Sequence, residues 1–236
     1  MFTYKNKNIQ IYLDGPSLDQ IKECDQLLVD GFTFNPSLFK SLGAVDYVSF
    51  CRDIIDIESS KPVSLEVISD DYKSTVDQAL ILSSLSDNIN VKIPITFTDS
   101  QSTIKVIREL IKKEIKLNIT AIFSLKQIQE ILQEIKNTDT ILSVFAGRLY
   151  DIGIDAKLKM KEISEYVKKN SDCRLLWASP RMIYDVISAI ETNTDIITIQ
   201  HSLLKKINLF GLKPEDYSLD TVKMFYNDAL TSKYKI

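Results

Sequence analysis

Short apolar runs alternate with amphipathic stretches along the whole chain. Ile9-Gln10-Ile11-Tyr12-Leu13 alternates toward Asp14 and is broken by Gly15-Pro16-Ser17, which predicts a strand and a turn. Ser17 is placed to cap a helix from Leu18 to about Val29, with Ile21, Leu27 and Leu28 as its apolar face. Gly31-Phe32-Thr33-Phe34 reads as a second strand, cut off by Asn35-Pro36 in a turn. A helix near Asp46 to Ile57 leads into the strand Pro62 to Ile68. Its alternation sets Ser64, Glu66 and Ile68 against Val63, Leu65 and Val67 on the opposite face. A helix from about Tyr72 to Leu85 precedes Ile89 to Ile95, an apolar run interrupted by Lys92 and closed at Pro94.

The second half keeps the rhythm. A helix around Ser102 to Lys113 carries Ile104, Ile107, Leu110 and Ile111 at core spacing. Strand Leu117 to Phe123, helix Leu125 to Ile135 and strand Ile141 to Phe145 follow. Asp155 opens a helix to about Lys169, Arg174 to Ala178 is a strand, and a helix after Pro180 precedes the strand Asp195 to Ile199. A loop marked by Gly211, Pro214 and Asp216 leads to a last helix, about Leu219 to Leu230. Eight strands alternating with helices, in units of roughly 30 residues, predict an α/β fold. The expected architecture is a parallel (β/α)8 TIM barrel forming a single domain over residues 1–236, with an extra C-terminal helix. An open doubly wound sheet is the runner-up, but its glycine-rich phosphate turn is missing from the first strand–helix junction.

Composition narrows the class. With 236 residues, 44% hydrophobic and 26% charged, the chain can bury a substantial core. A net charge of −3 and a pI near 5.4 argue against a nucleic-acid surface. No apolar run approaches the roughly 20 residues of a membrane span, and Met1 to Lys5 lack the apolar core of a signal peptide. Cys24, Cys51 and Cys173 are odd in number and far apart, which fits reduced, packed thiols and a cytoplasmic protein. The single histidine, His201, removes histidine-based zinc motifs, so no metal and no cofactor is expected.

Lys92 interrupts a run that otherwise reads as buried. In one reading it points outward or snorkels to the strand end. In the other it is a desolvated amine of lowered pKa, nucleophilic toward carbonyls. The barrel weighs between them, because barrel chemistry sits where strands end. There the sequence sets Asp14, Thr33, Asn35, Glu66, Lys92, Asn118, Thr120, Ser143, Ser179 and Arg181. Taken singly, each has a plainer reading as cap, turn or solvated charge. Their joint placement around one lysine is what resembles a site.

Eight stretches then resemble the transaldolase family, including its short fructose-6-phosphate-aldolase-like members. They are Tyr12-Leu13-Asp14, Asp30 to Leu38 (DGFTFNPSL), Val63 to Val67 (VSLEV) and Val91 to Thr96 (VKIPIT). The others are Asn118 to Ser124 (NITAIFS), Ser143 to Arg148 (SVFAGR), Ala178-Ser179-Pro180-Arg181 and Ile197-Thr198-Ile199 with Leu203-Leu204. T-x-N-P-S-L and V-K-I-P in this order are specific together. The chain departs from the family pattern at Phe34, where a second threonine is usual, at Gly15-Pro16, at Val144 and Ala146, and at Pro180.

The resemblance implies a class I mechanism in which Lys92 forms a Schiff base with a phosphorylated ketose. Asp14 matches the general acid/base, and Glu66 and Thr120 match the pair that holds a water. Thr33, Asn35, Asn118, Ser143 and Phe145 match substrate-binding positions; Arg148, Ser179 and Arg181 match phosphate-binding ones. The expected function is a transaldolase moving dihydroxyacetone between phosphorylated ketose and aldose substrates, in carbohydrate metabolism such as the pentose phosphate pathway. The alternative is an aldolase that releases free dihydroxyacetone, or a specialised enzyme for an unusual sugar phosphate. Glu66 and Phe145 favour transfer, since phenylalanine has no hydroxyl with which to protonate an enamine. Short members of the family form multimers through the C-terminal helix, so a homo-oligomer is one expectation for Leu219 to Leu230; packing on its own barrel is the other.

Overall fold

The computed structural model describes residues 2–4, 7–24, 28–232 and 234. A short strand, β1 (Phe2–Tyr4), folds back antiparallel on β2 (Lys7–Asp14). The chain then passes through α1 (Leu18–Glu23), β3 (Gly31–Thr33), α2 (Pro36–Ser41), α3 (Tyr47–Ile57) and β4 (Val63–Glu66). Next come α4 (Tyr72–Ser83), β5 (Ile89–Pro94), α5 (Ile104–Lys112), β6 (Leu117–Ile122), α6 (Leu125–Ile135) and β7 (Ile141–Val144). After α7 (Ala146–Asp151) and α8 (Ala156–Asn170) come β8 (Arg174–Trp177), α9 (Asp185–Glu191) and β9 (Ile196–Ile199). The chain ends in α10 (His201–Leu204), a 3-10 turn (Lys205–Leu209) and α11 (Pro214–Ser232). Strands β2 to β9 pair in parallel and in sequence order, and β9 pairs back with β2. The sheet is therefore a closed (β/α)8 barrel, as the strand–helix rhythm predicts.

Two apolar layers hold it. Outward strand positions such as Leu13, Leu65, Val91 and Ile119 pack with helix residues such as Ile54, Val106, Ile131 and Ile163 in one continuous core. A second cluster, Tyr12, Ile141, Leu176, Ala178 and Ile196, lies apart from it with Phe145 packed against it. These residues alternate along their strands with the outward ones, so they fill part of the barrel interior. The rest of the interior is polar.

Caps place the helices. Ser17 accepts from the Gln20 amide, and Gln20 reaches back to the Ser17 amide as a capping box. Asp46 and Asp155 cap α3 and α8 through the Ser49 and Leu158 amides. Asn35-Pro36, which reads as a turn from sequence, instead starts α2: Asn35 is the N-cap and Pro36 the first helical residue. The helix predicted to reach Val29 stops at Glu23, because Cys24 turns to extended backbone; the predicted contact of Leu27 lies outside the described residues. β1, α7 and α10 are short elements without a periodic signature. The last helix is longer than predicted, beginning at Pro214, and buries none of its residues. Packing on its own barrel is thus not what occupies its Tyr217, Leu219, Val222, Phe225 and Leu230 side chains, which stay exposed. Among the described residues no helix is long and apolar enough to cross a membrane.

Candidate active site

The site lies at the C-terminal end of the barrel, a cavity of about 270 Å3. Lys92 rises from β5, the fourth barrel strand, between Glu66 on β4 and Asn118 on β6 in the strand register. It is 5% exposed, so the side chain does not point outward into solvent. Its Nζ lies 3.0 Å from Glu66 Oε2 and donates to the Phe34 carbonyl at 3.3 Å. A buried ammonium needs such partners, since an unpaired charge away from water is strongly disfavoured. Tyr47 of α3 donates its hydroxyl to the Glu66 carbonyl, which ties the end of β4 to the helix layer.

Asp14 ends β2 and faces the same cavity. Burial pushes its carboxyl above the ordinary value, and the Lys92 charge and the Thr33 hydroxyl pull the other way. Thr33 Oγ1 donates to Asp14 Oδ1 at 2.8 Å and lies 2.5 Å from Thr198 Oγ1. A carboxyl with raised affinity for protons at a cavity wall is suited to acid/base work.

Beneath the cavity, Asn118 Nδ2 donates to Ser64 Oγ at 3.0 Å and Ser143 Oγ donates to Asn118 Oδ1 at 2.7 Å. This row joins β4, β6 and β7 and leaves Ser143 at the cavity wall with Asn118 behind it. On β6, the register slips between Ile119 and Ile122, and Ala121 takes a positive φ of 59°. Such a bulge re-aims the adjoining side chain. That neighbour is Thr120, whose hydroxyl reaches the cavity wall, buried and without a hydrogen-bond partner.

The rim is built differently. α7 follows β7 directly, carrying Phe145 at its cap and Arg148 one turn on. Arg148 lies with its guanidinium carbon 5.2 Å from the centre of the Phe145 ring, which in turn packs on Phe123. Gly147 is obligatory here: a Cβ at that position would sit 1.5 Å from the Ser179 carbonyl oxygen. The close approach brings the turn after β7 against the turn after β8, where Ser179 holds a positive φ of 58°. Buried Asp185 accepts from the Arg181 and Met182 amides and fixes that second turn. The Arg181 side chain forks onto Asp151, with Nε 2.9 Å from Oδ1 and a second contact through Nη2. The fork uses two of five N–H groups and leaves three for an anion.

The cavity thus brings together Lys92, Asp14, Thr33, Asn35, Thr120, Ser143, Phe145, Arg148, Ser179 and Arg181. Glu66 reaches it through Lys92, and Asn118 through Ser143. Asn35 spends its Oδ1 on the Leu38 amide, so its side-chain amide N–H groups remain for a ligand. Phe34 and Pro180 do not line the cavity; the Phe34 ring packs edge-on against Phe39 in the core, and only its carbonyl meets Lys92. Thr198 and Gln200 line the wall without having been singled out from sequence. The one signal for Thr198 is a hydroxyl in the otherwise apolar strand Ile196–Ile199. Burial also raises the Cys51 and Cys173 thiols, to about 12 and about 11, which keeps them inert.

Comparisons with known proteins give the chain its relatives. The model of a family described as "Transaldolase/Fructose-6-phosphate aldolase" matches residues 11–234. A probable transaldolase of Desulforapulum autotrophicum is 35% identical over 201 residues, covering 84% of this chain and 89% of that one. One of Thermoplasma volcanium is 36% identical over 204 residues, covering 84% and 86%. Among solved structures, a dihydrodipicolinate synthase of Rhodopseudomonas palustris superposes with a TM-score of 0.60 at 12% identity. It covers 95% of this chain and 80% of that one, a likeness of fold alone.

Proposed function

The chain belongs to the transaldolase/fructose-6-phosphate aldolase family, and from that premise we propose that it transfers a dihydroxyacetone unit between sugar phosphates through an imine on Lys92. The observation that carries this reading is the buried Lys92 amine at the cavity wall, 3.0 Å from Glu66 and facing Asp14. Glu66 takes a proton from the amine, which then attacks the C2 carbonyl of a ketose phosphate such as fructose 6-phosphate or sedoheptulose 7-phosphate. The carbinolamine loses water to give a protonated imine, and the partnerless Thr120 hydroxyl is placed to hold that water. Asp14 accepts the C4 hydroxyl proton, the C3–C4 bond breaks, and its electron pair moves into the imine to form an enamine. The aldose phosphate leaves; an acceptor aldehyde enters, the enamine attacks it, and Asp14 returns the proton. Hydrolysis of the new imine restores Lys92. Arg148, Ser179 and Arg181 hold the phosphate at the rim.

Phe145 supports transfer over release. It offers the enamine a phenyl face and no acidic hydroxyl, so the three-carbon unit waits for an aldehyde. The test is to supply fructose 6-phosphate with and without erythrose 4-phosphate and follow both products. Turnover is expected only with the acceptor. Free dihydroxyacetone accumulating at the full rate without it would make the enzyme an aldolase.

A further inference from the structure

We propose that Thr198 is a positioning residue for the acid/base step: its hydroxyl donates to Thr33 and thereby commits the single Thr33 hydroxyl proton to Asp14. The inference rests on the reading of Asp14 as the acid/base.

The direction follows from counting protons. A hydroxyl donates one hydrogen and accepts at its lone pairs, whereas an ionised carboxylate only accepts. Thr33 Oγ1 sits 2.8 Å from Asp14 Oδ1, so its hydrogen goes there. The 2.5 Å contact between Thr33 and Thr198 then has one donor left, the Thr198 hydroxyl. Three neighbouring strands set the row: Asp14 pairs with Thr33 across β2 and β3, and Thr198 pairs with Tyr12 across β9 and β2. Thr33 and Thr198 are 1% and 4% exposed, so bulk water does not compete for these bonds. Among the described residues, the one charged group that acts on Asp14 is Lys92 of β5, itself paired with Glu66 of β4. The hydroxyl row is therefore the main neutral support of the carboxylate.

The row also serves the protonated state. Once Asp14 has taken the substrate proton it becomes a donor, and the two threonine hydroxyls can reverse together. Thr198 reaches the cavity wall, so the far end of the row has somewhere to point. Both protonation states of the base are satisfied without moving a strand. Donation from Thr198 polarises the Thr33 hydroxyl and strengthens its bond to the carboxylate. Loss of that donation makes Asp14 harder to ionise.

Thr198→Val keeps the shape and removes the hydroxyl; Thr198→Ser keeps the hydroxyl. Single-turnover cleavage of fructose 6-phosphate is measured across pH, beside borohydride trapping of the imine. Thr198→Val should trap imine on Lys92 like the parent enzyme. Its cleavage should fall about threefold to tenfold at pH 6, the range of one lost hydrogen bond. The deficit should shrink at pH 8, because the acid limb moves to higher pH. Thr198→Ser should restore the parent profile. An acid limb that stays in place in Thr198→Val overturns the inference, as does a Thr198→Ser enzyme as slow as the valine variant. Should Thr198→Val not fold, Thr198→Ala carries the same test. A parent-like cleavage rate in Asp14→Asn would instead overturn the acid/base reading itself.

Discussion

The inner wall of the cavity and its rim hold charge in opposite ways. Around Lys92, Glu66, Asp14 and Thr33 the side chains stand on strands, are largely enclosed, and are joined across the barrel by short hydrogen bonds. Around Arg148 and Arg181 they stand on α7 and on the turn after β8, with the guanidinium of Arg181 and the carboxylate of Asp151 about half in water. In the wall the dielectric is low, and these four side chains have their partners in place before any ligand arrives. At the rim, solvent and salt screen the charges, and the net worth of a resting pair is about 0–1 kcal/mol. The division suits the proposed chemistry. Proton transfers require fixed geometry, whereas a phosphate must be gripped and released in every cycle.

Substitution should separate the two regions, and the largest effect belongs to the wall. Asp14→Asn removes the acid/base and should lower C–C cleavage by about 10²–10⁴-fold while leaving KM within a few-fold. The same change should stabilise the fold. Burial raises the Asp14 carboxyl above its ordinary value of 3.8, so the folded state binds this proton more tightly than the unfolded chain does. As pH climbs from the unfolded value through the raised folded one, the unfolded chain gives up the proton first and stability is lost. At neutral pH the ionised Asp14 is thus a net cost. Asn should therefore raise the Tm at neutral pH, which thermal unfolding of the two proteins side by side checks. A variant that loses activity and also stability would deny the desolvation on which the contrast rests.

At the rim the expected effect is smaller and falls on binding. Arg181→Ala removes a charge-assisted grip of about 1.5–3 kcal/mol, which corresponds to a KM raised by roughly 10- to 150-fold with kcat little changed. In the parent enzyme, raising salt from 0.05 to about 0.5 M should raise KM several-fold and leave the cleavage rate constant nearly unmoved. Steady-state kinetics at the two ionic strengths check both statements. A cleavage rate constant as salt-sensitive as KM would erase the distinction between the regions.

The wall was also the more legible region in the sequence. A lysine in the apolar run Ile89 to Ile95, and an acid, amide or hydroxyl at each strand end, announce themselves because strand interiors otherwise favour branched aliphatics. Alternation puts Ser64 and Glu66 on one face of their strand. What alternation does not carry is depth, which depends on strand stagger around the barrel. Asn118 therefore lies behind Ser143. By residue type Thr198 is an ordinary β-branched strand residue, and its hydroxyl gains meaning only where β9 closes on β2. The rim was legible in residue type and not in arrangement. Its Arg148 and Arg181 line one cavity because Gly147 admits the Ser179 carbonyl, and that contact joins two segments far apart in the chain. Phe34 shows the converse: a departure from the family pattern between Thr33 and Asn35 turns its ring into the core.

The most direct test is covalent trapping at Lys92. The purified protein is incubated with fructose 6-phosphate, reduced with borohydride, digested and mapped by mass spectrometry, with Lys92→Met treated in parallel. The expected result is a stable adduct on the peptide carrying Lys92 in the parent protein, and neither adduct nor turnover in a Lys92→Met protein that still folds. An unmodified Lys92 in a parent protein that turns the sugar phosphate over, or turnover persisting in Lys92→Met, would contradict the imine mechanism.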